Sequence, residues 1–302
     1  MIDKLEYLLA LAQAQHFGRA AEACGITQPT LSAGLKQLEE QFGVLLVNRG
    51  SRFQGFTPEG ARVLEWARRV VGDVRAMRDE VRALKQGLAG HLRIAAVPTA
   101  LPIVAALTTP YRALYPDVSF TIWSRTSLQV LDLLENLEAD AGLTYLDNEP
   151  VGRVRAVPLY RERYCLIVAT DHVMADRPSV TWAEVGTVPL CLLTPDNQNR
   201  RIIDRYLRHA NVQPNATLES NSMIVLLTHV QTKRWATVLP AAMGDALGRE
   251  HGLRLVPVTG EEPPTIGLVY PKREPLPPQT AALVAEARKL AAAWNDVPHE
   301  PA

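Results

Sequence analysis

The sequence predicts an α/β protein that begins with an all-α winged helix-turn-helix head and continues into a long linker helix. Helical patterns broken by a glycine turn fill the head, and a seven-residue apolar repeat follows them. From His91 onward, short apolar strands alternate with helices, which is typical of α/β domains. We therefore expect a head at 1–58, a linker or dimerisation helix at 59–89 and a second domain at 90–302.

The head contains two short helices separated by a tight turn at Gly25. The first begins at Phe17, and glycine readily adopts the positive φ that ends a helix. Thr27 is placed to cap the next helix, whose first turn tolerates the missing N–H of Pro29. Its apolar residues are spaced by four, three and four: Leu31, Leu35, Leu38 and Phe42. This pattern predicts a helix-turn-helix, and the segment Leu46–Phe56 predicts a small hairpin or wing.

The long helix has two apolar series at seven-residue spacing. One is Val63, Val70, Met77 and Leu84, and the other is Ala67, Val74, Val81 and Leu88. Such a narrow seam is typical of a coiled coil, so we expect pairing with the same helix of a second copy. The alternative is a helix that packs on its own domain, which would need a broader apolar face.

The second domain has the pattern of two α/β units. Strands are expected near 91–97, 118–123, 141–145, 164–169, 190–193, 237–239 and 265–270, and helices near 98–115, 128–137, 199–209, 222–234 and 278–294. Because strands alternate with helices, the pattern predicts parallel sheets.

Composition narrows the class of protein. The 32 Lys and Arg residues balance the 32 Asp and Glu residues, which permits but does not favour nucleic-acid binding. Three distant cysteines exclude a disulfide framework and suit a reducing compartment. Because the sequence has neither a signal peptide nor an apolar run long enough to span a bilayer, we expect a cytoplasmic protein without a membrane partner.

The sequence offers no pattern typical of an enzyme. It lacks GxSxG, GxGxxG, P-loop and HExxH motifs, and its seven histidines are scattered. We therefore expect no catalytic residues, no metal site and no cofactor.

Five segments of the head carry a recognisable pattern: Phe17–Ala23, Thr27–Ser32, Leu38–Glu40, Leu45–Arg49 and Phe56–Gly60. In these segments the head resembles that of LysR-type transcriptional regulators. Within the family, the chain is similar to regulators that accompany formate dehydrogenase operons, in overall likeness and in the stretch Leu193–Arg201.

The resemblance implies a regulator of a metabolic operon that binds double-stranded promoter DNA and a small-molecule effector. It implies a homodimer or a homotetramer built from dimers, with RNA polymerase as a further partner. It also implies an effector domain like periplasmic solute-binding proteins, with two Rossmann-like subdomains. Subdomain I would comprise about 90–161 and 267–302, and subdomain II about 162–266, with crossings near Tyr160–Tyr164 and Thr265–Leu268.

The predicted DNA contacts lie on the third helix and the wing: Gln28, Pro29, Thr30, Ser32, Ala33, Lys36, Arg49 and Arg52. Glutamine can read adenine and threonine can touch a thymine methyl group, whereas Ser32 and Lys36 suit phosphate oxygens. Ala33 and Gly34 offer no polar side chain, which predicts few base contacts there. The alternative for Gln28 is a solvated helix residue. A dimer that presents two recognition helices predicts a partly palindromic DNA site.

The predicted effector contacts lie in four loops between strands and helices. They are Pro98, Thr99, Ala100, Arg125, Thr126, Ser127, Pro195, Asn197, Gln198, Asn221 and Ser222. Helix N-termini and hydroxyl groups favour anions, so we expect a small carboxylate or another small anion, with formate suggested by the resemblance alone. The alternatives are that these residues only cap helices, and that the regulator binds DNA without an effector.

Overall fold

The computed structural model describes residues 1–49, 53–147, 152–243 and 252–295. The chain divides into two compact units, Met1–Lys85 and Gln86–Ala302.

The first unit is a helical head with a two-stranded wing. Its elements are α1 (Ile2–Ala14), α2 (Phe17–Ala23), α3 (Gln28–Phe42), β1 (Val47–Arg49), β2 (Phe53–Phe56) and the long α4 (Pro58–Gln86). Thr27 caps α3, because its side chain accepts from the N–H of Thr30. The helices close around a leucine core that includes Leu8, Leu31, Leu35 and Leu38.

A buried carboxylate fixes the wing to α3. Glu39 accepts the backbone N–H groups of Leu46 at 3.0 Å and Val47 at 3.2 Å. On the other side of the wing, the Thr57 hydroxyl donates to the carbonyl of Leu45 at 2.6 Å. A Cβ atom on Gly60 would lie 2.0 Å from the carbonyl oxygen of Leu46, so only glycine allows this approach of α4 to the wing.

The apolar seam of α4 is buried near the start of the helix and exposed further along. Ala67 is buried in the head core, so the start of α4 packs on its own domain. Further along, Met77 and Leu84 are 58% and 83% exposed within the single chain. The prediction that Leu88 continues the seam is wrong, because α4 ends at Gln86 and Gly87 has a φ of 80°. Leu88 instead packs against the core of the second unit.

The second unit contains a five-stranded sheet with the order β4-β3-β5-β13-β6. Its strands are β3 (Gly90–Ala96), β4 (Val118–Ser124), β5 (Ala141–Tyr145), β6 (Val154–Arg161) and β13 (Thr265–Pro271). A 3-10 turn at Pro98–Ala100 leads into α5 (Leu101–Leu114), and α6 (Ser127–Glu135) and α10 (Pro278–Asn295) complete this part.

The remaining strands form a four-stranded sheet, β11-β7-β12-β8, and a two-stranded sheet, β10-β9. They are β7 (Tyr164–Ala169), β8 (Val180–Thr181), β9 (Leu190–Leu193), β10 (Ala216–Ser220), β11 (Thr237–Pro240) and β12 (Leu253–Thr259). The accompanying helices are α7 (Trp182–Val185), α8 (Gln198–His209) and α9 (Met223–Gln231).

The prediction of parallel sheets holds for only some of the strand pairs, because the larger sheets are mixed. Strand β3 pairs in parallel with β4 and β5, but β13 is antiparallel to both β5 and β6. In the four-stranded sheet, β7 is antiparallel to β11 and β12. The reversals arise where the chain leaves one sheet for the other and returns.

The chain crosses between the five-stranded and four-stranded sheets twice. The first crossing consists of Glu162 and Arg163, between β6 and β7. The second consists of residues 260–264, between β12 and β13, which is earlier than predicted because Thr265–Leu268 already belongs to β13. The two crossings lie side by side, since the N–H of Glu162 donates to the carbonyl of Pro264 at 2.8 Å.

Among the described helices, none is long and apolar enough to cross a membrane.

Candidate DNA-binding and effector sites

Helix α3 presents most of the predicted DNA-binding residues on one exposed surface. Gln28, Pro29, Thr30, Ala33 and Lys36 are exposed, and Ser32 is half-buried. On the opposite side Leu31, Leu35 and Leu38 are buried, whereas Phe42, the last residue of the apolar pattern, is 44% exposed. The division of α3 into an exposed and a buried side follows from the apolar spacing, which leaves one helix surface without core contacts.

Two of these side chains have partners within the head. The Thr30 hydroxyl lies 2.8 Å from that of Thr27, so part of its hydrogen-bonding capacity serves the helix cap. The Lys36 ammonium lies 3.8 Å from the carboxylate of Glu40, and both side chains are exposed. A pair this exposed is weak, so Lys36 can exchange Glu40 for a phosphate at small cost.

Gly34 does not belong to the exposed surface. It is buried, and a Cβ atom there would lie 2.8 Å from the ring of Tyr7. The glycine therefore serves the packing of α3 on α1. It is no indication of weak base readout, and only Ala33 remains as an exposed position without a polar side chain.

The wing forms as predicted, since β1 and β2 pair in an antiparallel hairpin. The backbone of Arg49 belongs to β1. Arg52 and the side chain of Arg49 lie outside the part of the chain that the structure describes, so their contacts with DNA stay predictions.

The first two effector loops lie at the ends of β3 and β4. Pro98, Thr99 and Ala100 are buried in the 3-10 turn. Thr126 forms a capping box with Gln129, which is the helix-capping alternative realised at this position. Ser127 is buried, whereas Arg125 is exposed and donates to the carbonyl of Ser124 at 2.8 Å.

The other two loops differ in burial. Asn197 and Gln198 are buried, Pro195 and Asn221 are exposed, and Ser222 is half-buried. The Gln198 amide donates to the carbonyl of Asp147 at 3.2 Å. Among the described residues, no hydrogen bond joins Asn221 or Ser222 to the other three loops.

Arg201, which the sequence reasoning did not assign to the site, joins two of these loops. Its guanidinium donates to the hydroxyl of Ser127 at 3.4 Å and to the carbonyls of Pro195 at 3.0 Å and Asp196 at 2.8 Å. Ser127 begins α6 beside the five-stranded sheet, whereas Arg201 lies on α8. A cation therefore stands where the two subdomains meet.

A buried polar cluster lies beneath this junction. Glu162, in the first crossing, accepts hydroxyl hydrogens from Tyr145 at 2.5 Å, Tyr160 at 3.3 Å and Tyr164 at 3.4 Å. Tyr145 also lies 3.0 Å from the hydroxyl of Thr99. The Asn199 amide donates to Tyr145 at 3.2 Å and to Tyr164 at 3.3 Å.

Burial changes the acidity of Glu162. Desolvation raises its pKa from 4.5 to about 7, although the three tyrosine hydroxyls partly offset the shift by stabilising the carboxylate. The carboxylate also helps raise the pKa values of the three tyrosines, whose main cause is burial. Within the cluster, Glu162 is the group that titrates near neutral pH.

Sequence reasoning missed this cluster. Its members are far apart in the chain, and the sequence pattern places Tyr145 on a strand and Tyr164 at a strand start and a crossing, with no indication that they meet. The available signal was the alternation Tyr160-Glu162-Tyr164 at the predicted crossing, since a charged residue between alternating aromatic residues is unusual for a buried segment.

None of the three cysteines forms a disulfide bond, and their surroundings disfavour reaction. Cys165 and Cys191 are buried in β7 and β9. Burial raises the pKa of Cys191 to about 11 and also raises that of Cys24. A thiol reacts as its thiolate, so these shifts disfavour oxidation. Among the described residues, no group of His, Cys, Asp and Glu could hold a metal ion.

Two family descriptions match nearly the whole chain. Residues 2–61 match the bacterial regulatory helix-turn-helix protein of the lysR family, and residues 85–292 match the LysR substrate binding domain.

Known relatives match the chain along its length. The DNA-binding transcriptional dual regulator OxyR of Escherichia coli strain K12 is 30% identical over 91% of this chain and 90% of its own. The hydrogen peroxide-inducible genes activator of Haemophilus influenzae is 28% identical over 91% and 92%. Full-length OxyR from Pseudomonas aeruginosa, solved as a cysteine-to-aspartate variant, superimposes with a TM-score of 0.79 at 26% identity, covering 100% and 99% of the two chains.

The pKa of Glu162 predicts how stability depends on pH. Because the pKa is higher in the folded protein, the folded state binds more protons than the unfolded state between pH 4.5 and about 7. This contribution is fully present below pH 4.5 and is lost as the pH rises to about 7, by about 3 kcal/mol in total. We expect Glu162→Gln to remove that loss, as measured by urea unfolding across the pH range.

Glu262→Gln is the matched control, since the Glu262 side chain is 79% exposed and pairs with Arg161 at the surface. The control should retain the pH dependence of the wild-type protein. An unchanged pH dependence in Glu162→Gln would contradict the assignment.

Proposed function

The chain belongs to the LysR family of transcription regulators. We therefore propose that it binds promoter DNA as a dimer, and that a small anion modulates its activity. The family assigns a DNA-binding head and an effector-binding domain. The contact of Arg201 with Ser127 is the observation that supports an anionic effector, since it places a cation between the two subdomains. Control of a metabolic operon through RNA polymerase stays a prediction from the resemblance.

The exposed part of the α4 seam supports pairing between copies. Val70, Met77, Val81 and Leu84 recur on one side of the helix and are exposed in the single chain. Apolar side chains in such a row are stabilised when a partner helix covers them. We propose a homodimer through α4, which a second interface would extend to a homotetramer.

The effector class follows from the donors where the two subdomains meet. Arg201 provides a guanidinium, Ser127 a hydroxyl, and α6 the backbone N–H groups of its first turn. Donors of this kind favour a carboxylate or another small oxyanion. Formate satisfies the chemistry, but neither the family nor the relatives named above point to formate or to a formate dehydrogenase operon.

Hydrogen peroxide is the second candidate signal, because the relative from Haemophilus influenzae is named for induction by it. The thiols of this chain argue against sensing by cysteine oxidation. Cys165 and Cys191 are buried, and the pKa of Cys191 is raised to about 11. We therefore propose a binding signal and not a thiol redox signal.

The DNA-binding role predicts unequal effects of two glutamines on α3. Gln28→Ala should weaken binding to a selected operator by about 1–3 kcal/mol, since glutamine can make two hydrogen bonds to adenine. Gln41→Ala is the matched control, because Gln41 is exposed at the other end of the same helix. Fluorescence anisotropy with labelled operator measures both. Equal affinities for wild type and Gln28→Ala would contradict the predicted contact.

The effector role predicts stabilisation by a small carboxylate. In a thermal-shift screen of formate, acetate and short dicarboxylates, at least one should stabilise the protein, by about 2.7 kcal/mol at a hundredfold excess over its Kd. Arg201→Gln should abolish the shift, whereas Arg208→Gln, an exposed change on the same helix, should retain it.

A screen in which no carboxylate shifts the melting temperature would contradict an anionic effector. A shift that persists in Arg201→Gln would contradict the proposed site. Treatment with hydrogen peroxide serves as a separate arm, and a disulfide detected by mass spectrometry would contradict the proposed absence of thiol sensing.

A further inference from the structure

The hydrogen bonds around Glu162 have a fixed direction while its carboxyl group is ionised. A carboxylate can only accept, so Tyr145 must use its one hydroxyl hydrogen toward Glu162, at 2.5 Å. The oxygen of Tyr145 then accepts from the Asn199 amide at 3.2 Å and from Thr99 at 3.0 Å. The hydroxyl hydrogen of Thr99 is therefore committed to Tyr145.

A proton on Glu162 reverses this chain of bonds. When the proton is on Oε2, the carboxyl oxygen that faces Tyr145, the carboxyl group donates to Tyr145, whose own hydrogen needs a new acceptor. The Asn199 amide nitrogen that faces Tyr145 cannot accept, whereas the Thr99 oxygen at 3.0 Å can, and it lies closer to the Tyr145 hydroxyl than that nitrogen does. The Thr99 hydroxyl hydrogen is released from Tyr145.

We propose that Glu162 is a positioning residue for the effector site, whose protonation acts through Tyr145 to turn the Thr99 hydroxyl into a donor for an anion. The inference rests on the proposed function, because Thr99 belongs to one of the loops assigned to the effector. Binding of an anion at Thr99 then takes up a proton at Glu162, and affinity for the anion falls as the pH rises.

The surroundings of Glu162 suit this role. The titratable groups that face it among the described residues are Tyr145 on β5, Tyr160 on β6 and Tyr164 on β7. All three tyrosines have pKa values raised above their usual range, so they stay neutral when Glu162 titrates. With its pKa near 7, Glu162 responds to modest changes around neutral pH.

The burial of Thr99 limits the size of the anion. Thr99 is 1% exposed, and Ser127 at the neighbouring loop is 3% exposed. An anion that reaches the Thr99 hydroxyl must therefore be small, or the two subdomains must separate to admit it. Both conditions favour a compact oxyanion over an extended or aromatic acid.

The test measures the resonance of the Tyr145 ζ carbon, which carries the hydroxyl group, and needs no effector. The full-length protein is labelled with 13C at the ζ carbon of its eight tyrosines, and Tyr145→Phe identifies the resonance of Tyr145. From about pH 5.5 to about pH 8.5, this resonance should titrate with one midpoint near the pKa of Glu162. In Glu162→Gln, a neutral side chain of the same size, it should not titrate.

Tyr160→Phe is the control that separates the relay, meaning the hydrogen bonds from Glu162 through Tyr145 to Thr99, from a general effect of packing around Glu162. It removes one donor to the carboxylate without touching the bond between Tyr145 and Thr99. The Tyr145 resonance should still titrate, with its midpoint moved upward because the carboxylate has lost a hydrogen bond.

A Tyr145 resonance that is constant across this pH range, or that titrates equally in Glu162→Gln, would overturn the proposal. The result is independent of the thermal-shift screen. If carboxylates fail to bind while Tyr145 titrates, the proposed effector is wrong and the relay stands. If carboxylates bind while Tyr145 is constant, the relay is wrong and the effector stands.

Discussion

The burial of Glu162 between the two sheets is the constraint on which the effector domain depends. A carboxylate away from water needs hydrogen-bond donors, and the tyrosines that supply them come from strands of both sheets. Tyr145 ends β5 of the five-stranded sheet, and Tyr164 begins β7 of the four-stranded sheet. Any change in the angle between the subdomains must therefore preserve or rebuild this cluster.

The local parts of the fold were predictable from the sequence because their determinants are close in the chain. The spacing of Leu31, Leu35 and Leu38 sets the buried side of α3, and Thr27 caps the same helix. Strand direction was not predictable in this way, since β13 reaches β5 only after the chain has passed through the other sheet. The end of the α4 seam was missed because an apolar repeat cannot show that Gly87 ends the helix.

The candidate sites show the same difference between features that nearby residues determine and features that distant contacts determine. The exposed surface of α3 follows from helix periodicity, whereas Gly34 was misread because its neighbour Tyr7 lies on another helix. The effector loops were predicted from the ends of strands and helices, which marked Thr99 and Ser127. Arg201 is assigned to the effector site only because α8 contacts the start of α6, and no local sequence pattern predicts that contact.

The central claim is that the head reads DNA as one half of a symmetric pair. Nuclease footprinting of the full-length protein on genomic fragments selected by binding tests this claim most directly. We expect two protected half-sites in inverted orientation, their centres separated by about 10 base pairs or a multiple of that distance. Protection of one isolated half-site at saturation, or protection without sequence preference, would contradict it.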